Sequence, residues 1–201
     1  AAYIPRKAFR TKKLGMDILM GVAVNGIPFD PMAAEFYLGN HKGWQYNALG
    51  GAIPLGLDAN YAHVQPSGAY HYHGLPVGLM QELGWQAGRP SPLIGYAADG
   101  FPIFAMTAKV DGKVKRMRSS YRLKPGNRPG GSKPSGPHDG SFINDYEYVR
   151  GAGDLDACNG VKVTTPDYPN GVYAYFLTRK FPVVPRCLVG KIGKGFKKAR
   201  R

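Results

Sequence analysis

Apolar positions in this chain come in short runs that alternate with polar residues or are cut by glycine and proline, a pattern of strands and tight turns. Gly21-Val-Ala-Val-Asn25-Gly26-Ile-Pro28-Phe and Gly95-Tyr-Ala-Ala-Asp99-Gly100-Phe-Pro102-Ile both read as strand, turn, strand. Asn-Gly and Asp-Gly predict type I′ turns, with Pro28 and Pro102 at an edge or beside a bulge. A second pair of segments also matches. Leu57-Asp58-Ala59-Asn60 leads through Pro66 and Gly68 to Tyr70 and Tyr72, and Leu155-Asp156-Ala157-Cys158-Asn159 leads through Pro166 and Gly171 to Tyr173 and Tyr175. Each ends in an alternating aromatic strand of period two. No long amphipathic helix is predicted, and Pro31 to Tyr37 supports at most a short one.

The order hairpin, Leu-Asp segment, Tyr-x-Tyr strand thus occurs twice. It predicts a mainly β, single compact domain built from two duplicated β-rich half-repeats, residues 15–88 and 89–190, in a sandwich or barrel-like arrangement. The basic, Gly- and Pro-rich residues 109–140 read as an insertion in the second half. A chain of 201 residues buries enough surface to fold without a metal or a disulfide framework. The longest apolar run, Ile18 to Val24, falls far short of the roughly 20 residues of a transmembrane helix.

Charge adds a second level of organisation. The net charge is +14, yet residues 1–13, 109–133 and 191–201 hold 20 of the 27 Lys and Arg, and the remainder is net acidic. A basic N-terminal arm (1–14) and a basic C-terminal tail (191–201) therefore flank the domain at 15–190. Such segments attract anionic partners, here an envelope component or a larger assembly, without choosing among polyanions. No helix-turn-helix, zinc-finger or RNP motif marks a dedicated nucleic-acid binder. The chain begins Ala-Ala-Tyr, as after signal-peptide removal, although a trimmed chain would begin the same way. Cys158 and Cys187 read as one disulfide if the protein is exported, and as two buried thiols in a reducing cytosol.

Candidate chemistry centres on Tyr70-His71-Tyr72-His73. On a strand, His71 and His73 share one face, about 6.6 Å apart along the chain, near enough for two imidazoles to converge on one ion. The matching strand sharpens this: Tyr70 and Tyr72 recur as Tyr173 and Tyr175, whereas His71 aligns with Ala174, His73 with Phe176 and His63 with Lys162. The tyrosines behave as scaffold and the histidines as additions, either metal ligands or a hydrogen-bonded structural or catalytic pair. His63 is the natural third ligand. Asp58, matched by Asp156, is a ligand, an orienting partner or a turn cap, and His138 could face the same cleft. Imidazole-rich ligation suits copper, zinc, nickel or iron. Asp139, Asp145, Glu147, Asp154 and Asp156 do not have EF-hand spacing and read as a solvated face. Catalytic residues are not assigned, because no G-x-S-x-G, Walker or Rossmann motif is present.

Leu57-Asp58, the run His63 to Pro76, Pro92-Leu-Ile-Gly-Tyr96 with Asp99-Gly-Phe-Pro102, and Leu155-Asp156 with Cys158-Asn159-Gly160 together resemble the YHYH-domain proteins of bacterial envelopes and secretomes. The resemblance covers residues 15–190. It implies an exported protein and metal binding through the histidine motif, often supposed to be copper. Ala59 stands where such proteins often carry a cysteine, which leaves Cys158 to pair with Cys187. The resulting expectation is an exported protein holding one copper or zinc ion. The alternative is a structural envelope component docking on anionic partners through its basic arms.

Overall fold

The computed structural model describes residues 5–66 and 68–198. Its described strands are β1 (Lys7–Lys13), β2 (Gly21–Ala23), β3 (Pro28–Phe29), β4 (Ala62–Val64), β5 (Tyr70–Tyr72), β6 (Leu93–Ala97) and β7 (Pro102–Ala105). They continue with β8 (Thr107–Val110), β9 (Lys113–Arg116), β10 (Tyr121–Leu123), β11 (Tyr146–Tyr148), β12 (Gly160–Thr165), β13 (Tyr168–Leu177) and β14 (Cys187–Gly190). The protein is mainly β. One short helix, α1 (Val77–Glu82), buries Leu79 and Met80, and no helix among the described residues is long and apolar enough to cross a membrane. No period in the sequence announced α1, and Pro31 to Tyr37 forms no α-helix; a 3-10 turn follows at Tyr37–Gly39.

Eight strands make the central sheet in the order β12-β13-β7-β6-β2-β3-β5-β4, and three two-stranded sheets surround it; none closes into a barrel. The order reads the same from either side of the β6–β2 seam. Gly21 pairs with Ala97, Val22 with Tyr96 and Ala23 with Gly95. Both glycines are needed there, since a Cβ on Gly21 would lie 2.4 Å from Tyr96 O and one on Gly95 2.3 Å from Val22 O. Outward from the seam, β3 runs parallel to β5 through Phe29 and Tyr72, as β7 runs parallel to β13 through Ile103 and Tyr175. The outer hairpins pair Ala62 with Tyr72 and Gly160 with Tyr175. Superposing these registers sets His63 on Val161, one residue away from the Lys162 expected from sequence.

The two hairpins differ from the predicted type I′ form. Gly26 donates its N–H to Ala23 O and Gly100 to Ala97 O, and in each loop only the glycine has positive φ, +85° in both. These are three-residue loops with glycine at the left-handed position. The two-residue Asp-Gly turn occurs instead between β8 and β9, where Asp111 and Gly112 both have positive φ and Val110 pairs with Lys113. Pro28 sits at neither an edge nor a bulge, whereas Pro102 lies beside the register irregularity between Leu93 and Gly95, which face Phe104 and Ile103. Each is the first residue of an interior strand, where its missing N–H is tolerated.

One sheet face packs Phe29, Tyr72, Ile94, Ile103, Tyr175 and Leu177 into the main core, joined by Leu188 and Val189 of β14. The scaffold tyrosines satisfy their hydroxyls there: Tyr72 Oη accepts from Asn25 at 2.9 Å, and Tyr175 donates to Asp99 at 2.6 Å. Cys158 and Cys187 form a disulfide that ties the turn before β12 to β14. It closes a loop of about 30 residues, a constraint that stabilises a fold by about 3 to 4 kcal/mol. The basic N-terminal arm is an ordered strand, β1, paired with β14 and exposed at all seven residues. Residues 1–4 and 199–201, the ends of the two basic tails, lie outside the described residues. The acidic residues expected as one solvated face do not form one: Asp145 is fully buried and shares Arg128 with Asp139, Asp154 pairs with Lys115, and Asp156 closes the turn before β12.

Candidate metal centre

β4 and β5 supply the site. Their antiparallel register sets His63 directly opposite His71, and strand alternation turns both away from Tyr70 and Tyr72. His73, one residue past β5, is fixed by its N–H to Tyr61 O at 2.8 Å. Three imidazoles meet on one face as a result. Ring centroids lie 4.6 to 5.0 Å apart with interplanar angles of 63 to 72°. His71 Nε2 is 2.9 Å from His73 Nε2, which is 3.1 Å from His63 Nε2.

The opposite ring nitrogens decide what those Nε2 atoms are. His63 Nδ1 lies 2.6 Å from Leu55 O, and His71 Nδ1 3.2 Å from Ala69 O. A carbonyl only accepts, so both Nδ1 atoms carry the proton and both Nε2 atoms point a lone pair at the common centre. His73 leaves the trio incompletely satisfied whichever nitrogen holds its proton. With the proton on Nε2, it serves one neighbour only, and the buried Nδ1, which has no hydrogen-bond partner in the structure, keeps an orphaned lone pair. With the proton on Nδ1, facing the Asp30 backbone, three lone pairs converge with nothing between them.

A cation removes both deficits. The residues present therefore fit a metal ion on chemical grounds: three neutral imidazoles, their potential ligand atoms all within 4.8 Å of one another. Nitrogens on one tetrahedral zinc are about 3.3 Å apart, given bonds of 2.0 to 2.1 Å, so the two separations from His73 Nε2, 2.9 and 3.1 Å, need open by only a few tenths of an ångström.

Electrostatics favours the neutral form that ligation requires. His71 and His73 are each 4% exposed. Burial pushes the His71 imidazole below its ordinary value, and burial with the neighbouring His71 and His63 rings lowers His73 to about 3. Asp30 and Lys198 stand beside the trio. Asp30 is buried, caps Met32 N–H through Oδ1, and its other oxygen pairs with Lys198 Nζ. Sequence reasoning missed both. Asp30 had a signal, because it follows Pro28-Phe29 where the sister segment has Phe104 after Pro102-Ile103. Lys198, in the basic C-terminal tail, had none.

Of the five residues named as candidate ligands, the fold gathers His63, His71 and His73. Asp58 is not with them. Its Oδ1 accepts the N–H groups of Asn60 and Ala62, and Oδ2 accepts Tyr70 Oη–H at 2.5 Å. That hydrogen bond holds the Asp58 carboxyl below its usual range, and burial together with the same hydrogen bond pushes the Tyr70 phenol up to about 12. Asp156 repeats the arrangement with Cys158, Gly160 and Tyr173. His138 also lies apart, its ring stacked on Trp44 and Nδ1 donating to the Pro125 and Gly126 carbonyls.

Fold and site thus define a β-rich, disulfide-linked protein with a buried cluster of three histidines. The family model for the YHYH protein matches residues 2–190, and the chain belongs to the YHYH protein family. No curated protein and no solved structure matches it.

Proposed function

We propose that this protein is an exported transition-metal-binding protein that holds one copper or zinc ion through His63, His71 and His73. The observation that carries the reading is the convergence of three Nε2 atoms, two of them committed as lone pairs by carbonyls behind the rings. Three neutral imidazoles leave a further coordination position free, where zinc lowers the pKa of a bound water and copper exchanges an electron. The protein's part is to keep His71 and His73 neutral by burial and to fix the tautomers of His63 and His71 through the carbonyls behind them. The disulfide supports export, because such a bond persists in oxidising compartments.

The palindromic strand order supports a duplicated origin, with 15–88 and 89–190 as the two copies and the histidines as an addition to the first. Titration of metal-free protein with Cu(II) and Zn(II) against a chromophoric chelator tests the site. One equivalent of either metal taken up, and none by a His63→Val, His71→Ala, His73→Phe variant, is the expected result. Equal uptake by both proteins refutes it.

A second role rests on β1, whose seven residues are all exposed, Phe9 at 99%. This strand offers four cations and an aromatic ring to an anionic partner such as an envelope component. Retention on anionic vesicles that disappears with added salt supports this role, and salt-insensitive retention removes it.

A further inference from the structure

A second feature adjoins the histidines without involving their ligand atoms. A cleft of about 1120 Å³ opens beside the sheet, and His73 is the one member of the trio on its wall. Six cationic residues line it: Arg116, Arg118, Arg122, Arg179, Lys180 and Arg186. No aspartate or glutamate lines it among the described residues. The charges come from two distant parts of the chain, the end of β9 with the stretch that follows it and the loop before β14.

Their pairing is sparse. Arg118 reaches Asp154 at 3.4 Å, and Arg122 donates to the Ser119, Tyr121 and Ala152 carbonyls. Arg116, Arg179 and Lys180 have no ion pair among the described residues. Arg186 is the most telling. Its guanidinium donates to Pro31 O at 2.7 Å and to Met32 Sδ at 2.8 Å, with the Phe181 ring 5.7 Å away, and no carboxylate pairs with it. Burial lowers its pKa to about 10. The one carboxylate whose charge acts on Arg186 is Asp30, already paired with Lys198, so five further cations beside this guanidinium leave an excess of positive charge that an anion would offset. The rest of the wall is of another kind. Tyr61, Trp85, Tyr121, Tyr146 and Phe181 give it ring faces, and Leu49, Leu75 and Met106 add aliphatic surface.

We propose that this cleft binds a soluble organic phosphate, the arginine forks holding the phosphate oxygens and the aromatic wall holding the ligand's planar or apolar body. A phosphate group carries close to two negative charges and three acceptor oxygens, which suits several forks converging on one group better than a singly charged carboxylate does. The volume suits a molecule with a body more than a bare ion. The inference does not rest on the metal reading. If both hold, His73 brings the phosphate ligand and the metal centre side by side.

The test is calorimetric titration of the full chain with ADP, adenosine and trigalacturonate in resin-treated, metal-free buffer at about 50 mM salt. Dissolved chelators are polyanions and would compete, so they are left out. The expected result is ADP binding at least about tenfold tighter than adenosine or trigalacturonate and weakening as salt rises. An Arg116→Gln, Arg179→Gln, Lys180→Gln variant, altered only at exposed positions without ion pairs, is expected to lose about tenfold or more in ADP affinity at unchanged melting temperature. A His63→Val, His71→Ala variant, altered away from the cleft wall, should bind ADP as the parent does even though it takes up no metal. Three results overturn the proposal: no ADP binding up to about 1 mM, ADP and adenosine binding alike, or unchanged affinity in the rim variant. Tighter binding of trigalacturonate overturns the phosphate assignment.

Discussion

The two halves of the central sheet present corresponding positions on the same face with opposite chemistry. In the β12–β13 half, Ala174 and Phe176 join Phe104 in a buried apolar cluster with Val161 packed against it. In the β4–β5 half, the registers set His71, His73, Asp30 and His63 at those four positions. The backbones agree beyond the register. Tyr61 and Asn159 both have positive φ, and their carbonyls accept the N–H groups of His73 and Phe176 at 2.8 and 2.9 Å. The strand pair therefore tolerates an apolar filling. Four polar side chains in its place are excess polarity for the fold, which is what a binding site looks like when it is built on a scaffold that does not require it.

The largest effect that separates the halves is metal uptake. Exchanging His63, His71 and His73 for the sister residues Val, Ala and Phe should abolish stoichiometric binding, measured by chelator competition, while circular dichroism shows the fold retained. Stability should respond asymmetrically. Phe176→His puts a polar ring into a fully buried apolar cluster and should cost about 3 to 5 kcal/mol in chemical denaturation. His73→Phe in metal-free protein should cost less than that, because the ring it removes is one whose two nitrogens are incompletely satisfied. Equal penalties would dissolve the contrast.

Smaller still is the pH response of the metal-free protein. His71 and His73 have folded pKa values below the unfolded value near 6.5, so the unfolded chain takes up protons that the folded state refuses. Stability should hold above that value and fall as pH drops toward the folded value, about 3 for His73, by up to about 1.4 kcal/mol per pH unit for each proton. Denaturation series for the parent and the sister-residue variant should therefore diverge below pH 6.5, and parallel curves would contradict the burial assigned to these rings. The smallest effects belong to the two candidate ligands that lie apart. His138→Ala and Asp58→Asn should leave metal affinity within about twofold, with Asp58→Asn costing about 1 kcal/mol through its turn.

Much of this contrast was legible in the amino-acid sequence, because it is local. Period-two alternation gave the Tyr-x-Tyr strands and set His71 and His73 on one face, and the matching segments marked them as additions. The same comparison misplaced His63 by one residue. β12–β13 and β4–β5 have turns of different length, so spacing counted through the turn drifts, whereas register counted from Tyr72 and Tyr175 does not. Gly26 and Gly100 announced turns without revealing a three-residue loop, which depends on where Ala23 and Ala97 pair. The bringing together of Asp30 with Lys198, and of Arg116 with Arg186, was invisible. Those contacts join segments far apart in the chain, and no periodicity encodes them.

The central claim is that His63, His71 and His73 exist to hold an ion. Elemental analysis of the protein purified from its native source without added metal, beside the His63→Val, His71→Ala, His73→Phe variant handled identically, tests it most directly. The account predicts close to one copper or zinc per chain in the parent and none in the folded variant. A metal-free parent that also fails to take up either metal, or a variant that retains the ion, would contradict it.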